Sequence, residues 1–230
     1  MAEMEQPMGR INGKIQPSKS ILGKAMKERK PELLLLSAAA VFCIASFFLC
    51  DAPAAMFFRQ FSDVLWLGSW KVVTNAGESQ WYLVGGLALF AGFRKRDRRV
   101  ALSGLFLFCT VAVSGLSADL LKFIFGRARP KLLLEQGIYG FGFFHTEHAW
   151  TSFPSGHSAT AMSAALTLSL IFPRYRPGFF AAALLIAASR VVLDQHFLSD
   201  VVAGSMLGIV TVVLLYQRYF RTALDETPTV

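Results

Sequence analysis

The sequence predicts an all-α protein built as a six-transmembrane helical bundle, and three observations support this prediction. First, 54% of the 230 residues are hydrophobic and only 17% are charged, whereas soluble domains carry roughly 45–50% apolar and about 25% charged residues. Second, the apolar residues form long runs of the length that a bilayer requires. Third, basic residues flank these runs, as they do at the cytoplasmic ends of membrane helices.

Composition also argues against several classes of function. The net charge of +8 does not indicate a nucleic-acid partner, because the basic residues flank apolar runs, where they set topology and meet anionic lipid headgroups. The three cysteines, Cys43, Cys50 and Cys109, lie within or beside apolar runs. Their odd number and spacing favour small hydrophobic core residues over a disulfide framework or a zinc site.

Six apolar segments are predicted to cross the membrane. They cover residues 33–50, 81–93, 100–125, 155–172, 179–193 and about 197–216. The second is short, and it crosses only if the neighbouring Arg94 and Lys95 reach toward the headgroups. Residues 51–80 have an interrupted apolar face, which fits either an interfacial helix on the outer leaflet or an extramembrane loop.

Charge sets the expected domain limits and orientation. Residues 1–31 are polar and basic and are predicted to form a disordered cytoplasmic tail, residues 32–220 the membrane domain, and residues 221–230 a polar C-terminal tail. With six spans, the basic turns at 94–99 and 174–176 lie on the same side as both termini, so that side is cytoplasmic. The polar motifs described next then lie on the extracytoplasmic side.

The stretch from Lys122 to Asp200 carries the chemistry. Ionisable side chains at the ends of apolar runs are costly in a membrane and indicate a functional site. His196 and Asp200 are four residues apart, which places both on one helical face. A carboxylate in that position fixes the imidazole tautomer and raises its nucleophilicity. The competing interpretation is a histidine at a helix start, with an aspartate that favours the helix dipole.

An anion site is predicted beside these two residues. The tetrapeptide Pro154-Ser155-Gly156-His157 resembles a helix start, at which the N–H groups of Ser155 and Gly156 can face an anion. Phosphate oxygens also suit the planar fork of arginine and the point charge of lysine. The cations that complete the predicted site are Lys122, Arg129 and Arg190.

Taken together, these motifs resemble the type 2 phosphatidic acid phosphatase (PAP2) superfamily. The matching residues are Lys122 with Arg129-Pro130, then Pro154-Ser155-Gly156-His157, then Ser189-Arg190 with His196 and Asp200. The resemblance implies a lipid phosphatase of the bacterial inner membrane, with both termini cytoplasmic and a periplasmic active site at the extracytoplasmic end of the bundle. It implies hydrolysis without a cofactor or metal.

The resemblance also implies a role for each matching residue. His196 forms a phosphohistidine and Asp200 orients it, while His157 protonates the leaving group and then activates water. The phosphoryl oxygens are bound by Lys122, Arg129, Ser155, Gly156 and Arg190. Fixed cations provide the charge stabilisation that magnesium supplies in other phosphoryl-transfer enzymes.

The sequence leaves the substrate open among several membrane lipid phosphates. The candidates are undecaprenyl diphosphate, phosphatidylglycerol phosphate, phosphatidate and the 1-phosphate of lipid A. Three alternative functions also remain at this point: a lipid phosphotransferase that uses the same intermediate, a vanadate-dependent haloperoxidase, and a non-catalytic lipid-binding or transport protein. Oligomeric state is not predicted.

Four further residues lie near the motifs. Arg127 neighbours the anion site and either assists it or anchors the chain at the interface. His145 and His148 lack a third metal ligand and are assigned to loop or headgroup contacts. Asp119 is expected to pair with a motif cation rather than act on substrate.

Overall fold

The computed structural model describes residues 34, 36–61 and 64–225. The chain divides into two compact units, residues 1–37 and 38–230. In the first unit the described residues 34, 36 and 37 are helical, and the predicted basic tail at 1–31 lies outside the described residues.

The described residues contain helices and no strand, so the all-α prediction is confirmed. The α-helices are α1 Leu36–Leu49, α2 Asp51–Phe58, α3 Val64–Asn75, α4 Ser79–Phe93, α5 Arg98–Phe125, α6 Pro130–Gln136, α7 Gly156–Ile171, α8 Arg176–Val192, α9 Leu198–Leu215 and α10 Arg221–Asp225. Short 3-10 turns occupy His148–Trp150 and Pro173–Tyr175, and a π-helical turn, Tyr216–Phe220, joins α9 to α10.

Three helical segments in the described part of the chain are long and apolar enough to cross a membrane. They are Arg98–Phe125, Pro173–Val192 and Leu198–Leu224; α1 and α2, bent by 61°, form a possible fourth. Helices α4 and α7 have 15 and 16 residues, or about 22–24 Å at 1.5 Å per residue, against a hydrocarbon core of about 30 Å. The six-span count therefore stays a prediction, whereas membrane-spanning helices are present.

Helix α7 is the central helix of the bundle, and its N-terminus carries a predicted motif. It packs against α5, α8 and α9, and most of its residues are buried. Two hydroxyl pairs join it to α5: Thr110 with Thr167 at 3.0 Å, and Ser114 with Ser163 at 3.1 Å. Such interhelical hydrogen bonds and small residues hold helices together where the surroundings are apolar.

Two glycines bring α9 against the start of α7. A Cβ at Gly204 would lie 2.2 Å from the carbonyl oxygen of Ser155, and one at Gly208 would lie 2.5 Å from that of Ala159. Real Cβ atoms do not approach this closely, so the contact requires glycine at both positions. This close crossing places the α7 motif beside the α9 motif.

Segments outside the long spans also contain helices. Residues 51–80 contain α2 and α3 rather than one continuous interfacial helix. Asp51, at the start of α2, is buried. At the C-terminus, part of the predicted polar tail forms α10, where Leu224 packs against the cluster of Phe106, Val212 and Phe220.

Candidate active site

A cavity of about 430 Å³ lies where α5 ends and α7 begins. It gathers six of the eight residues that the sequence predicts for the site: Lys122, Arg129, Gly156, His157, Arg190 and His196. These residues come from α5, α7, α8 and the connecting loops, and they are up to 74 positions apart in the chain. The fold therefore brings both motif histidines and all three predicted cations around one space.

Each cation is held by specific contacts. The Lys122 ammonium pairs with Asp119 at 2.8 Å, as the sequence predicted for Asp119, and lies 3.1 Å from the position of a Cβ at Gly156. Arg129 donates to the carbonyl oxygens of His148 at 2.9 Å and Gln195 at 3.1 Å.

Arg190 is anchored to a neighbouring helix. Its Nη1 donates to the Thr74 hydroxyl of α3 at 2.7 Å, while its Nε is a buried donor without a protein partner among the described residues. Buried guanidinium groups that protein oxygens satisfy only in part are suited to bind an anion.

The tautomer of His196 follows from its hydrogen bond. The residue is buried, and its Nδ1 lies 2.7 Å from the backbone carbonyl oxygen of Ser152. A carbonyl oxygen only accepts hydrogen bonds, so Nδ1 carries the proton and Nε2 keeps its lone pair. His196 thus presents an unprotonated nitrogen, as a nucleophile requires.

Asp200 lies beside His196, as the spacing of four suggested, but it makes no direct hydrogen bond to the imidazole. Its Oδ2 lies 3.8 Å from His196 Nδ1, outside hydrogen-bond range. That oxygen instead accepts from the Ser152 hydroxyl at 2.6 Å and from the backbone N–H of Phe197 at 2.9 Å. Asp200 therefore positions His196 through Ser152, which contacts both residues.

Arg127 has a role that the sequence analysis missed. It is fully buried rather than anchored at an interface. Its Nη2 donates to Asp51 at 2.7 Å, and its Nη1 donates to the Ser199 hydroxyl at 2.7 Å and to Asp200. Four aromatic rings enclose the guanidinium at 4.6–5.6 Å, those of Phe47, Tyr139, Phe141 and Phe197. This arginine pairs with two buried carboxylates behind the cavity.

Asp51 completes this buried group from a part of the chain far from the motifs. It accepts from the Ser46 hydroxyl at 2.7 Å and from the backbone N–H of Ser199 at 3.0 Å, and it also contacts the Ser199 hydroxyl. The start of α2 is thereby tied to the start of α9. The ionic group formed by Asp51, Arg127 and Asp200 is called the buried triad below.

Ser155 caps α7 and is not among the residues that line the cavity, and its predicted phosphate contact stays a prediction. Its side chain is fully buried and caps α7, accepting from the Ser158 backbone N–H at 3.4 Å and from its hydroxyl at 2.9 Å. Its own N–H donates to the Asp200 carbonyl oxygen at 3.0 Å. Because the cap and this bond use both polar groups, Gly156 alone of the pair lines the cavity.

Two further histidines line the cavity. His145 stacks on Trp150 with ring centroids 4.6 Å apart, and His148 offers its carbonyl oxygen to Arg129. The positive charge of Arg129, together with burial, lowers the pKa of His148. No group of three or more histidine, cysteine or acidic side chains in the described ranges is placed to hold a metal ion.

Comparison with known proteins identifies the family. The PAP2 superfamily profile matches residues 103–223, which is more than half of the chain. This protein belongs to the PAP2 superfamily. It is an integral membrane enzyme of the phosphoric ester hydrolase type.

Three curated relatives are informative. Lipid A 1-phosphatases of Rhizobium johnstonii and Rhizobium etli are each 38% identical, the first over 72% of this chain and 71% of its own length, the second over 80% and 85%. Lipid A 4′-phosphatase of Porphyromonas gingivalis is 26% identical over 60% of this chain and 61% of its own length.

Two solved structures share the fold. The PAP2-type phosphatidylglycerolphosphate phosphatase of Bacillus subtilis has a TM-score of 0.62 at 23% identity, covering 82% of this chain and 95% of that one. Aquifex aeolicus LpxE has a TM-score of 0.55 at 23% identity, covering 73% and 94%. The helical architecture is therefore that of PAP2 membrane proteins.

The environment of His196 predicts how this PAP2 enzyme responds to pH. Burial lowers the pKa of His196 to about 4, and the charges of Arg129 and Arg190 act in the same direction while Asp200 opposes them. We expect the imidazole to stay neutral until the pH falls well below about 6.5, the value for a free histidine. In ¹³C-histidine NMR of the detergent-solubilised protein, the His196 resonance should titrate below about pH 5.

A variant at Arg129 checks how much the neighbouring positive charge contributes to this pKa shift. Arg129→Gln removes a charge that lowers the pKa of His196, so its midpoint should move to higher pH. A wild-type midpoint near 6.5, or no change in Arg129→Gln, would contradict this account.

Proposed function

We propose that this protein hydrolyses the 1-phosphate of lipid A, through a phosphohistidine formed on His196. The observation that carries the proposal is the cavity in which His196 and His157 face one space with Lys122, Arg129 and Arg190. The 38% identity to two lipid A 1-phosphatases over most of the chain supports this substrate over the other lipid phosphates.

In the first step, the lone pair of His196 Nε2 attacks phosphorus. An N–P bond forms as the P–O bond to the sugar breaks, and the departing oxygen takes a proton from His157. The bound phosphate brings negative charge that stabilises the protonated form of His157 before this transfer. The products are phosphohistidine, neutral His157 and lipid A without its 1-phosphate.

In the second step, His157 takes a proton from water, and the resulting oxygen nucleophile attacks phosphorus. The N–P bond breaks, its electrons return to Nε2, and inorganic phosphate leaves. Throughout both steps, Lys122, Arg129 and Arg190 stabilise the equatorial phosphoryl oxygens, and the Gly156 N–H at the start of α7 adds a donor.

The supporting residues lie behind the cavity. The Ser152 carbonyl oxygen fixes the tautomer of His196, and Asp200 fixes Ser152. Arg127 and Asp51 fix Asp200 in turn. We infer that preorganisation by these groups keeps Nε2 oriented toward phosphorus without the cost of rearrangement during reaction.

The proposal also includes the membrane arrangement. We infer six crossings within residues 32–220, with both tails cytoplasmic and the cavity at the periplasmic end in the cell inner membrane. Aromatic side chains are favoured at the headgroup level, and Phe143 and Phe144, in the loop between α6 and α7, are exposed. An amphiphilic substrate can then enter laterally while its acyl chains stay in lipid.

The test measures phosphate release from lipid A labelled with ³²P at the 1-position or at the 4′-position, using purified protein in neutral detergent. We expect inorganic ³²P from the 1-labelled substrate alone, at equal rates with and without chelator. Release from the 4′-position alone, or from phosphatidate but not lipid A, would contradict the assigned substrate. Label recovered on a lipid acceptor would identify a transferase instead.

A further inference from the structure

A second cavity, of about 610 Å³, lies next to the first. Basic side chains and an apolar wall line it. The basic residues are Arg59, Lys71 and Lys131, and the apolar residues are Phe58, Phe61, Leu67, Leu134, Val192 and Leu193. Two carboxylates, Glu135 and Asp194, and the amide of Gln195 complete the lining.

The two cavities share a wall of two short chain segments. In one segment, His196 lines the first cavity and the adjacent Gln195 lines the second cavity. In the other segment, Arg129 lines the first cavity and Lys131 lines the second cavity. Arg129 Nη1 donates to the Gln195 carbonyl oxygen at 3.1 Å, which closes this wall. A headgroup long enough to cross this wall can therefore contact both cavities.

Three basic side chains against two carboxylates give the second cavity a net positive charge, which favours an anion. Lys131 has a partner in Glu135 at 3.9 Å, and Arg59 lies near Asp194. Over the described ranges, neither Arg59 nor Lys71 has a carboxylate within ion-pair distance, 4.0 Å. Two such cations above an apolar wall form a site for the charged headgroup of an amphiphile.

We propose that the second cavity binds the other phosphate of a bis-phosphorylated glycolipid while the 1-phosphate lies against His196. This inference rests on the proposed function. The names of the relatives show that lipid A is a substrate for removal of a phosphate at position 1 or at position 4′. Such a lipid has a second anion at the far end of its headgroup, and cations in both cavities hold it at both ends.

Binding of the two phosphates in separate cavities has a consequence for substrate specificity. A lipid with two phosphates gains contacts in both cavities, whereas one with a single phosphate gains them only beside His196. Loss of one charge-assisted contact typically weakens binding by about tenfold. Arg59, Lys71 and Lys131 therefore determine substrate preference without taking part in the chemical step.

The test compares kcat/KM for 1,4′-bisphosphorylated lipid A with that for lipid A 1-monophosphate, both in neutral detergent micelles. We expect R59Q and K71Q each to lower the value for the bisphosphate by about tenfold, and to leave the value for the monophosphate unchanged. The matched control is R174Q, because Arg174 is an exposed cation outside both cavities. It should leave both substrates unaffected.

Other outcomes separate the possible failures. If R59Q and K71Q lower kcat/KM equally for the two substrates, or for neither, the second-phosphate site would be overturned while the phosphatase assignment stayed intact. If inorganic phosphate or anionic lipid changes the activity of the wild type on the monophosphate and K71Q removes that effect, the cavity is a site for free anions or bulk lipid, and the inference would also be overturned. Phosphate release from neither lipid A would overturn this inference together with the proposed function.

Discussion

Replacing His196 with alanine should lower kcat by on the order of 10⁴-fold or more. The reason is that the substitution removes the only motif side chain that presents an unprotonated nitrogen fixed by a backbone hydrogen bond. His157 remains in the cavity, but it is assigned the proton transfers and not the attack on phosphorus. The measurement is the rate of phosphate release from lipid A by the purified variant.

His148→Ala is the matched control for this variant. His148 lines the same cavity, and its assigned contact to Arg129 uses the backbone carbonyl oxygen, which the substitution keeps. We expect a change in kcat of less than about tenfold for His148→Ala. Comparable losses in the two variants, or substantial turnover by His196→Ala, would show that the nucleophile is assigned to the wrong residue.

Replacing Arg127 with methionine should destabilise the fold by about 3–5 kcal/mol, because two buried carboxylates lose their shared cation. Asp51 and Asp200 lie on different helices, so the loss affects how α2 and α9 pack as well as how His196 is held. Thermal unfolding in detergent measures the effect. As a control, Lys131→Met breaks an exposed pair at 3.9 Å and should cost less than about 1 kcal/mol.

A second substitution tests whether unpaired charge causes the loss. In the Arg127→Met background, Asp51→Asn removes one of the two carboxylates left without a cation, so it should restore part of the lost stability. Alone, Asp51→Asn should destabilise the protein, because Arg127 loses one of its two charged partners and the Ser46 and Ser199 hydroxyls lose a charged acceptor. If the two substitutions lower the stability of the double variant additively, the proposed ionic interaction between Arg127 and Asp51 would be contradicted.

The charged residues and histidines of the motifs that line the cavity could be predicted from the sequence alone. The all-α fold could be predicted in the same way. Lys122, Arg129, Arg190, His157 and His196 follow from charges placed at the ends of apolar runs, because few roles other than function justify such placement. The apolar runs themselves predicted the positions of the long helices.

The supporting residues could not be predicted, because their partners are distant in the chain. Arg127 contacts residues 76 and 73 positions away, and local spacing carries no signal of such pairing. Asp51 begins a segment whose apolar face is interrupted, so the sequence pattern did not predict that its side chain is buried. Ser152 acts partly through its backbone carbonyl oxygen, which any residue type supplies. The hydroxyl of Ser155 fitted both an anion contact and a helix cap, and in the structure it caps α7.

The central claim is that His196 carries the phosphoryl group between substrate and water. The most direct measurement is rapid quenching of the enzyme with lipid A labelled by ³²P at the 1-position, followed by peptide mapping. The account predicts alkali-stable, acid-labile label on the peptide containing His196, formed and lost at rates compatible with turnover, and absent from His196→Ala. Label on another residue, or active enzyme that never carries label while it releases phosphate, would contradict it.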